Sequence, residues 1–172
     1  MSSAPDAQPD SAAIASALKT AMRHMPSPVA LISATDAATG EPAGLAATAF
    51  VPVAMEPPSM LVCVNLGGSA HAVIESTGAF CINVIGLAQA DELLPFAIPD
   101  RREERFQGAA WGERHGLPFL AGAAANIFCR TARRDIFGTH EIFIGEVFDV
   151  IVNTDAAPAL WHGGKVVELP VA

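Results

Sequence analysis

Three short segments of the chain carry residue types and spacings suited to chemistry. In Asn65-Leu66-Gly67-Gly68-Ser69-Ala70-His71 a glycine pair lies between an apolar run and a short helical pattern. Such a strand-to-helix bend leaves the N–H groups of the pair and of the first helical turn free to hold an anion. Ser69 could bond that anion or cap the helix, with His71 in its first turn; an ordinary turn capped by Ser69 is the plainer alternative. In Gly44-Leu45-Ala46-Ala47-Thr48-Ala49-Phe50 small side chains flank a single threonine. They let a backbone edge come close to a flat ligand while the Thr48 hydroxyl bonds it, although an Ala-rich strand without a ligand fits the same residues. Gly138-Thr139-His140-Glu141 sets a histidine at the mouth of a long strand, just after Arg133, Arg134 and Asp135. There it could titrate near neutrality or touch a substrate, or be an isolated surface histidine.

The common catalytic signatures are missing. No GxGxxG, Walker loop, GxSxG or CxxC pair occurs, and the five histidines never stand at a metal-ligand spacing, so no metal is expected. Cys63, Cys81 and Cys129 each sit in an apolar, strand-like run, and their odd number argues for buried thiols over a disulfide framework.

The elements that position these segments follow from pattern. The first ten residues read as a mobile tail, and residues 11 to 172 as a single domain. Ser11 can N-cap a helix carrying Ile14, Leu18, Met22 and Met25 on one stripe, stopped by Pro26 and Pro28. Strand-like runs cover residues 29–34, 45–53, 60–65, 80–85, 126–131, 140–153 and 166–169. Turns are expected over 36–44 and 132–138, one or two helical turns follow the glycine pair, and a helical stretch covers 88–97. The segment 111–118 reads as a loop. Short strands with hairpin-like turns favour a small antiparallel barrel or sandwich over a βαβ fold.

Composition narrows the class further. At 51% hydrophobic the chain is not disordered, and its net charge of −8 argues against a nucleic-acid partner. Seven of the ten basic residues nevertheless fall between Arg101 and Arg134, which allows a local anion site. The first residues lack a basic and an apolar region, so no signal peptide is expected, and no window is long and apolar enough for a membrane span. A cytoplasmic location is the expectation.

Taken in order, the helix leading into MPSPVALISA, GLAATAFVPVAMEPPSMLVCVN, GGSAHAVI, FCINVI, the RF/W/G-L-P-F-L series and GTHEIFIGEV resemble the flavin reductase-like proteins of the FMN-binding split-barrel fold. The resemblance runs from about Ala21 to Leu169. Within the family it is most similar to the small reductase components of two-component 4-hydroxyphenylacetate-type monooxygenases. It implies a mainly β fold, a split antiparallel Greek-key barrel with a few flanking helices. The implied activity is an NAD(P)H:flavin oxidoreductase that takes hydride from NADH or NADPH, reduces FMN or FAD, and supplies the reduced flavin to a partner oxygenase. By the same resemblance, Ala46, Ala47, Thr48, Ala49 and Phe50 lie along the isoalloxazine ring. Asn65, Gly67, Gly68, Ser69 and His71 hold the phosphate and ribityl chain, Arg105 and Phe106 match a pair near the flavin, and His140 matches a histidine where the nicotinamide enters. Hydride transfer between stacked planar cofactors needs no acid–base dyad from the protein. Leu66 offers no charge in the bend, and Val166 stands where relatives often carry an aromatic. A homodimer is implied as well. Two alternatives stay open: a flavin-binding electron carrier that retains FMN and reacts with a protein partner, and a pyridoxamine-phosphate-oxidase-like barrel holding haem.

Overall fold

The computed structural model describes residues 10–169, so the expected tail lies, apart from Asp10, outside the described residues. The described chain runs α1 (Ser11–Arg23), β1 (Ser27–Pro28), β2 (Ala30–Thr35), β3 (Pro42–Ala47), β4 (Phe50–Met55), β5 (Pro58–Asn65), α2 (His71–Thr77) and β6 (Ala79–Val84). It continues with α3 (Leu94–Ala97) between 3-10 turns at Leu87–Leu93 and Pro99–Glu104. Then come β7 (Trp111–Arg114), β8 (Leu117–Leu120), β9 (Ala125–Phe137), β10 (His140–Val152), β11 (Ala159–His162) and β12 (Lys165–Glu168).

Seven strands form one antiparallel sheet in the order β3-β2-β6-β9-β10-β5-β4. Its two outermost strands, β3 and β4, are consecutive in sequence and joined only by Thr48 and Ala49. Two residues span at most about 7 Å, so the sheet must curl until its edges meet at that corner. The edges are not paired with each other along their length. The result is a barrel split between β3 and β4. Val62, Val64, Ile74, Phe80, Ile82 and Phe143 fill its interior, and a second cluster of Leu31, Ile85, Leu93, Phe96 and Leu120 packs outside β2 under the 3-10 and α3 segment.

Several expectations are corrected here. The expected single strand over 45–53 breaks at Thr48-Ala49, because the chain turns there from one sheet edge to the other. The expected turn over 36–44 ends early, with β3 starting at Pro42. Segment 111–118 is a hairpin, not a loop: His115 and Gly116 take φ of 56° and 74°, the left-handed pair of a two-residue turn. Segment 132–138 continues β9 to Phe137, leaving only Gly138-Thr139 as the turn, and β11 escapes the pattern altogether. The N-cap position of α1 is Asp10, not Ser11, and its side chain makes no capping bond. The stripe of α1 is found as expected, yet Ile14, Leu18, Met22 and Met25 remain 51–61% exposed.

A buried polar knot holds the outer hairpin to the sheet. Asn83 Nδ2 donates to the Leu31 carbonyl (2.8 Å) and to Ser33 Oγ (2.9 Å), while its Oδ1 accepts from Leu120 N (2.8 Å) and Asn126 Nδ2 (2.8 Å). Ser33 Oγ donates onward to the Pro118 carbonyl at 2.6 Å. At the hairpin tip Asp149 accepts from His115 Nε2 (2.6 Å) and Arg114 Nε (2.7 Å), which hold its carboxyl at about 2, below the usual range. Replacing Asn83 with Leu strands the buried Leu120 N–H and leaves the Asn126 amide with only the Leu120 carbonyl, and an unmet buried donor costs about 1–3 kcal/mol. Urea denaturation of Asn83→Leu should show a loss of about 1–3 kcal/mol; an unchanged midpoint and slope would remove the knot from the account.

Candidate functional site

Since β3 pairs only with β2, its far side offers unpaired backbone N–H and C=O groups. Along that free edge lie four adjoining cavities that share residues and form one groove. The first, of about 360 Å³, is lined by Gly44, Ser69, Arg102, Arg105 and Phe106 among others. The next is bounded by Gly44, Leu45, Asn65, Gly68, Ser69 and Arg105. A third, of about 290 Å³, runs past Ala46, Ala47, Thr48, Phe96 and Trp161. The last, of about 320 Å³, rounds the Thr48 corner to Met22, Met25 and Trp161. One end is therefore polar, with two arginines and two glutamates, and the other apolar.

The floor of the groove is set by close packing. Gly44 is buried, and a Cβ there would stand 2.7 Å from the Ile32 carbonyl oxygen and 2.9 Å from Phe106 Cζ. Phe106 itself adopts φ of 59°, a left-handed conformation that costs a non-glycine residue roughly 1–3 kcal/mol. Its ring meets Trp111 at 4.7 Å and Phe96 at 5.2 Å between centroids, and this aromatic cluster over-determines the strained backbone. Arg105 is anchored beside it. Its Nε donates to the Pro95 carbonyl at 2.8 Å, at the end of α3, and the guanidinium lies 5.1 Å over the Phe96 ring. Burial, and then the neighbouring Arg102 cation, push the Arg105 guanidinium down from its ordinary pKa. An anion settling between the two would offset both effects, although Glu41 and Glu103 line the same cavity.

The bend at 65–71 is built differently from the expected cradle. Asn65 Oδ1 accepts from Gly67 N at 2.8 Å and the Asn65 carbonyl from Gly68 N at 2.9 Å. The glycine N–H groups are thus consumed in shaping the bend and are not free for an anion. Ser69 does not cap α2, whose N-cap is Ala70 without a side-chain bond; it lines the groove instead. His71 is beside the bend, but its Nε2 donates to Glu141 Oε2 at 2.6 Å, away from the groove. Phe50 is a barrel-core residue, and Ala49 is exposed at the corner with its carbonyl accepting from Cys63 N. The structure therefore brings Ala46, Ala47, Thr48, Asn65, Gly68, Ser69, Arg105 and Phe106 to the groove. Gly67, Ala49, Phe50 and His71 support it from outside.

His140 opens β10 directly across from Asn65, and the Thr139 carbonyl accepts from Leu66 N at 3.0 Å. It is not among the residues that line these cavities; it stands one strand away from one that is. The expected arginine patch disperses. Arg101 pairs with Glu104, Arg114 with Asp149, and Arg134 with Glu75 and Glu141, leaving Arg102 and Arg105 at the groove. Trp161 and Phe96 were not singled out in the sequence, whereas Arg102 belonged to the basic cluster in which an anion site was expected. Trp161 lies in the strand that the pattern hid, and Phe96 reads as an ordinary helix residue.

The chain matches the family model described as "Flavin reductase like domain" over residues 22–170. It is similar to the FMN reductase (NADH) RutF of Stutzerimonas stutzeri, with 35% identity covering 86% of this chain and 83% of that protein. It is also 34% identical to the reductase component of the FADH(2)-dependent resorcinol hydroxylase of a Rhizobium species, with the same two coverages of 86% and 83%. Among solved structures, the NADH:FAD oxidoreductase SgcE6 of Streptomyces globisporus is similar, with a TM-score of 0.82, 27% identity, and coverage of 98% of this chain and 95% of that one.

The packing at Gly44 yields a prediction. Gly44→Ala forces β3 away from β2 or displaces Phe106, so it should cost about 1–3 kcal/mol and alter Trp111 fluorescence through the Phe106–Trp111 contact. Thermal denaturation and emission spectra check this; wild-type values in both would mean that the groove floor is not tightly packed.

Proposed function

The chain belongs to the flavin reductase-like domain family, and on that premise we propose that it is an NAD(P)H:flavin oxidoreductase that reduces FMN or FAD and hands the reduced flavin to a partner oxygenase. The single observation that carries the reading at this chain's own residues is the groove along the unpaired edge of β3, apolar at Ala46, Ala47 and Trp161 and polar at its other end, where Arg102 and Arg105 stand with Glu41 and Glu103. A flat, polar-edged ring tailed by a phosphate has that same polarity. Small side chains at Ala46 and Ala47 let the ring come against the backbone edge, whose free groups match its heteroatoms.

A bound flavin supplies the hydride-accepting ring. The protein's own work is to hold and orient. Thr48 offers a hydroxyl at the ring end of the groove, Ser69 and the two arginines offer donors at the phosphate end, and Asn65 shapes the bend between them. His140, across from Asn65, is placed to touch the nicotinamide that approaches from the outer side of β10. No catalytic acid or base is called for, because the two organic cofactors carry the chemistry.

The functional unit is proposed to be a homodimer. Met55 is 77% and Phe137 82% exposed, and the α1 stripe and Val51, Val53, Val150 and Val152 are exposed as well, apolar surface that a second copy could cover. No described helix is long and apolar enough to cross a membrane, and three free cysteines suit the reducing cytoplasm proposed as its location.

Anaerobic assays with NADH and NADPH against FMN, FAD and riboflavin test the activity. Oxidation of nicotinamide matched by flavin bleaching is expected; tightly retained flavin with no nicotinamide oxidation would instead indicate the electron carrier. In the same assay Ser69→Ala with Arg102→Ala should weaken FMN by about tenfold and riboflavin far less. His140→Ala should lower turnover at an unchanged flavin affinity. Sedimentation should give a dimer for the wild type and a shift toward monomer for Met55→Glu with Phe137→Glu; a wild-type monomer at micromolar concentration would count against the assembly.

A further inference from the structure

Behind the bend, four ionisable side chains from three elements meet away from the groove. His71 opens α2, and Glu75 lies one turn later on the same helical face. Glu141 of β10 accepts from His71 Nε2 at 2.6 Å on one oxygen, and Arg134 Nε of β9 stands 3.2 Å from the other. The far nitrogen of Arg134 reaches Glu75 Oε1 at 3.0 Å. Glu141 is 3% exposed and the His71 side chain 12%. The His71 ring meets Phe143 edge-on at 5.9 Å, and the Arg134 guanidinium lies 5.9 Å over the same ring.

A carboxylate so deeply buried is costly unless it is paired from more than one side. Here two donors reach it from different elements, which fastens the first turn of α2 to the β9–β10 hairpin. The bend between Asn65 and His71 is consequently pinned at both ends. Leu66 N donates to the Thr139 carbonyl at one end, and His71 is held by Glu141 at the other. Ser69, which lines the groove, stands between the two pins.

We propose that Glu141 is a positioning residue for the flavin phosphate: acting through His71, it fixes the bend so that Ser69 faces the phosphate end of the groove. The proposal rests on the flavin reading above. Because Glu141 directly follows His140, one strand end sets both the phosphate bend and the histidine on the nicotinamide side.

Titration of FMN and riboflavin into the full-length wild type and His71→Phe, Glu141→Leu and Glu141→Gln variants tests it. Phe keeps the edge contact with Phe143 and removes only the ring nitrogens. Leu removes the carboxylate, and Gln keeps an oxygen that can accept from His71. His71→Phe and Glu141→Leu should weaken FMN by about tenfold or more, with riboflavin changed by less than about threefold. Glu141→Gln should restore FMN affinity to within about threefold of wild type. Equal losses for the two flavins, or unchanged FMN affinity, would overturn this inference and leave the groove reading intact. Absence of flavin binding by the wild type would overturn both. Should Glu141→Leu fail to fold, His71→Phe decides alone.

Discussion

Thr48 and Ala49 impose the constraint from which the remaining architecture follows. They join strands at opposite edges of a seven-stranded sheet, so the sheet has to curl, yet only at their own corner are the edges brought together. A barrel closed throughout would satisfy every backbone group; this one leaves one side of β3 unpaired. An exposed strand edge invites unwanted pairing, and here the 3-10 turns, α3 and the Arg105–Phe106 loop stand over it at the distance of a groove. The same geometry explains why the residues along β3 are so small: Gly44 has no room for a Cβ, and Ala46 and Ala47 keep the edge approachable.

Around that edge the polar groups divide into those that face the groove and those that only shape it. Asn65 spends its side-chain oxygen on Gly67 N, and Arg105 spends part of its guanidinium on the end of α3. Such bonds orient the groove wall without reaching into it. Arg105 does both, since its half-buried guanidinium still lines the cleft beside Arg102. Rigidity of this kind is what a reaction between two organic cofactors asks of a protein, because its rate depends on alignment more than on proton transfer.

How much of this could be read from residues alone depended on the range of the interaction. Apolar, β-type runs and turn residues placed strands over 29–34, 60–65 and 80–85, within two residues of those found, and a helical turn or two after the glycine pair, because these are local signals. The hairpin at His115-Gly116 was hidden by charged residues on its strands and by a histidine in a left-handed turn. The break at Thr48 had no local signal at all, since it arises only when strands far apart in sequence take their places in the sheet. In the site, motif order found the bend and the β3 segment. It could not tell that the glycine N–H groups were already taken by Asn65, or that His71 turns toward Glu141, because both facts depend on where neighbouring side chains point. Trp161 was missed for the same reason that β11 was: four residues between turns carry too little pattern.

The groove and the exposed apolar surface are not independent features. Met22 and Met25 line its far end beside Thr48, and they belong to the same α1 stripe as Ile14 and Leu18, which is exposed among the described residues. α1 is held to the body chiefly at its C-terminal end, where Arg23 donates to the Gly163 carbonyl and accepts from Gly163 N. A helix with no buried residue gains little from its own chain, because helical stability in proteins comes mostly from packing an apolar face. Covering that face with a second copy would therefore stabilise α1 and, with it, the wall that Met22 and Met25 give the apolar end of the groove. In the proposed dimer, association would help the groove keep its shape, because the exposed stripe of α1 and the apolar end of the groove share Met22 and Met25.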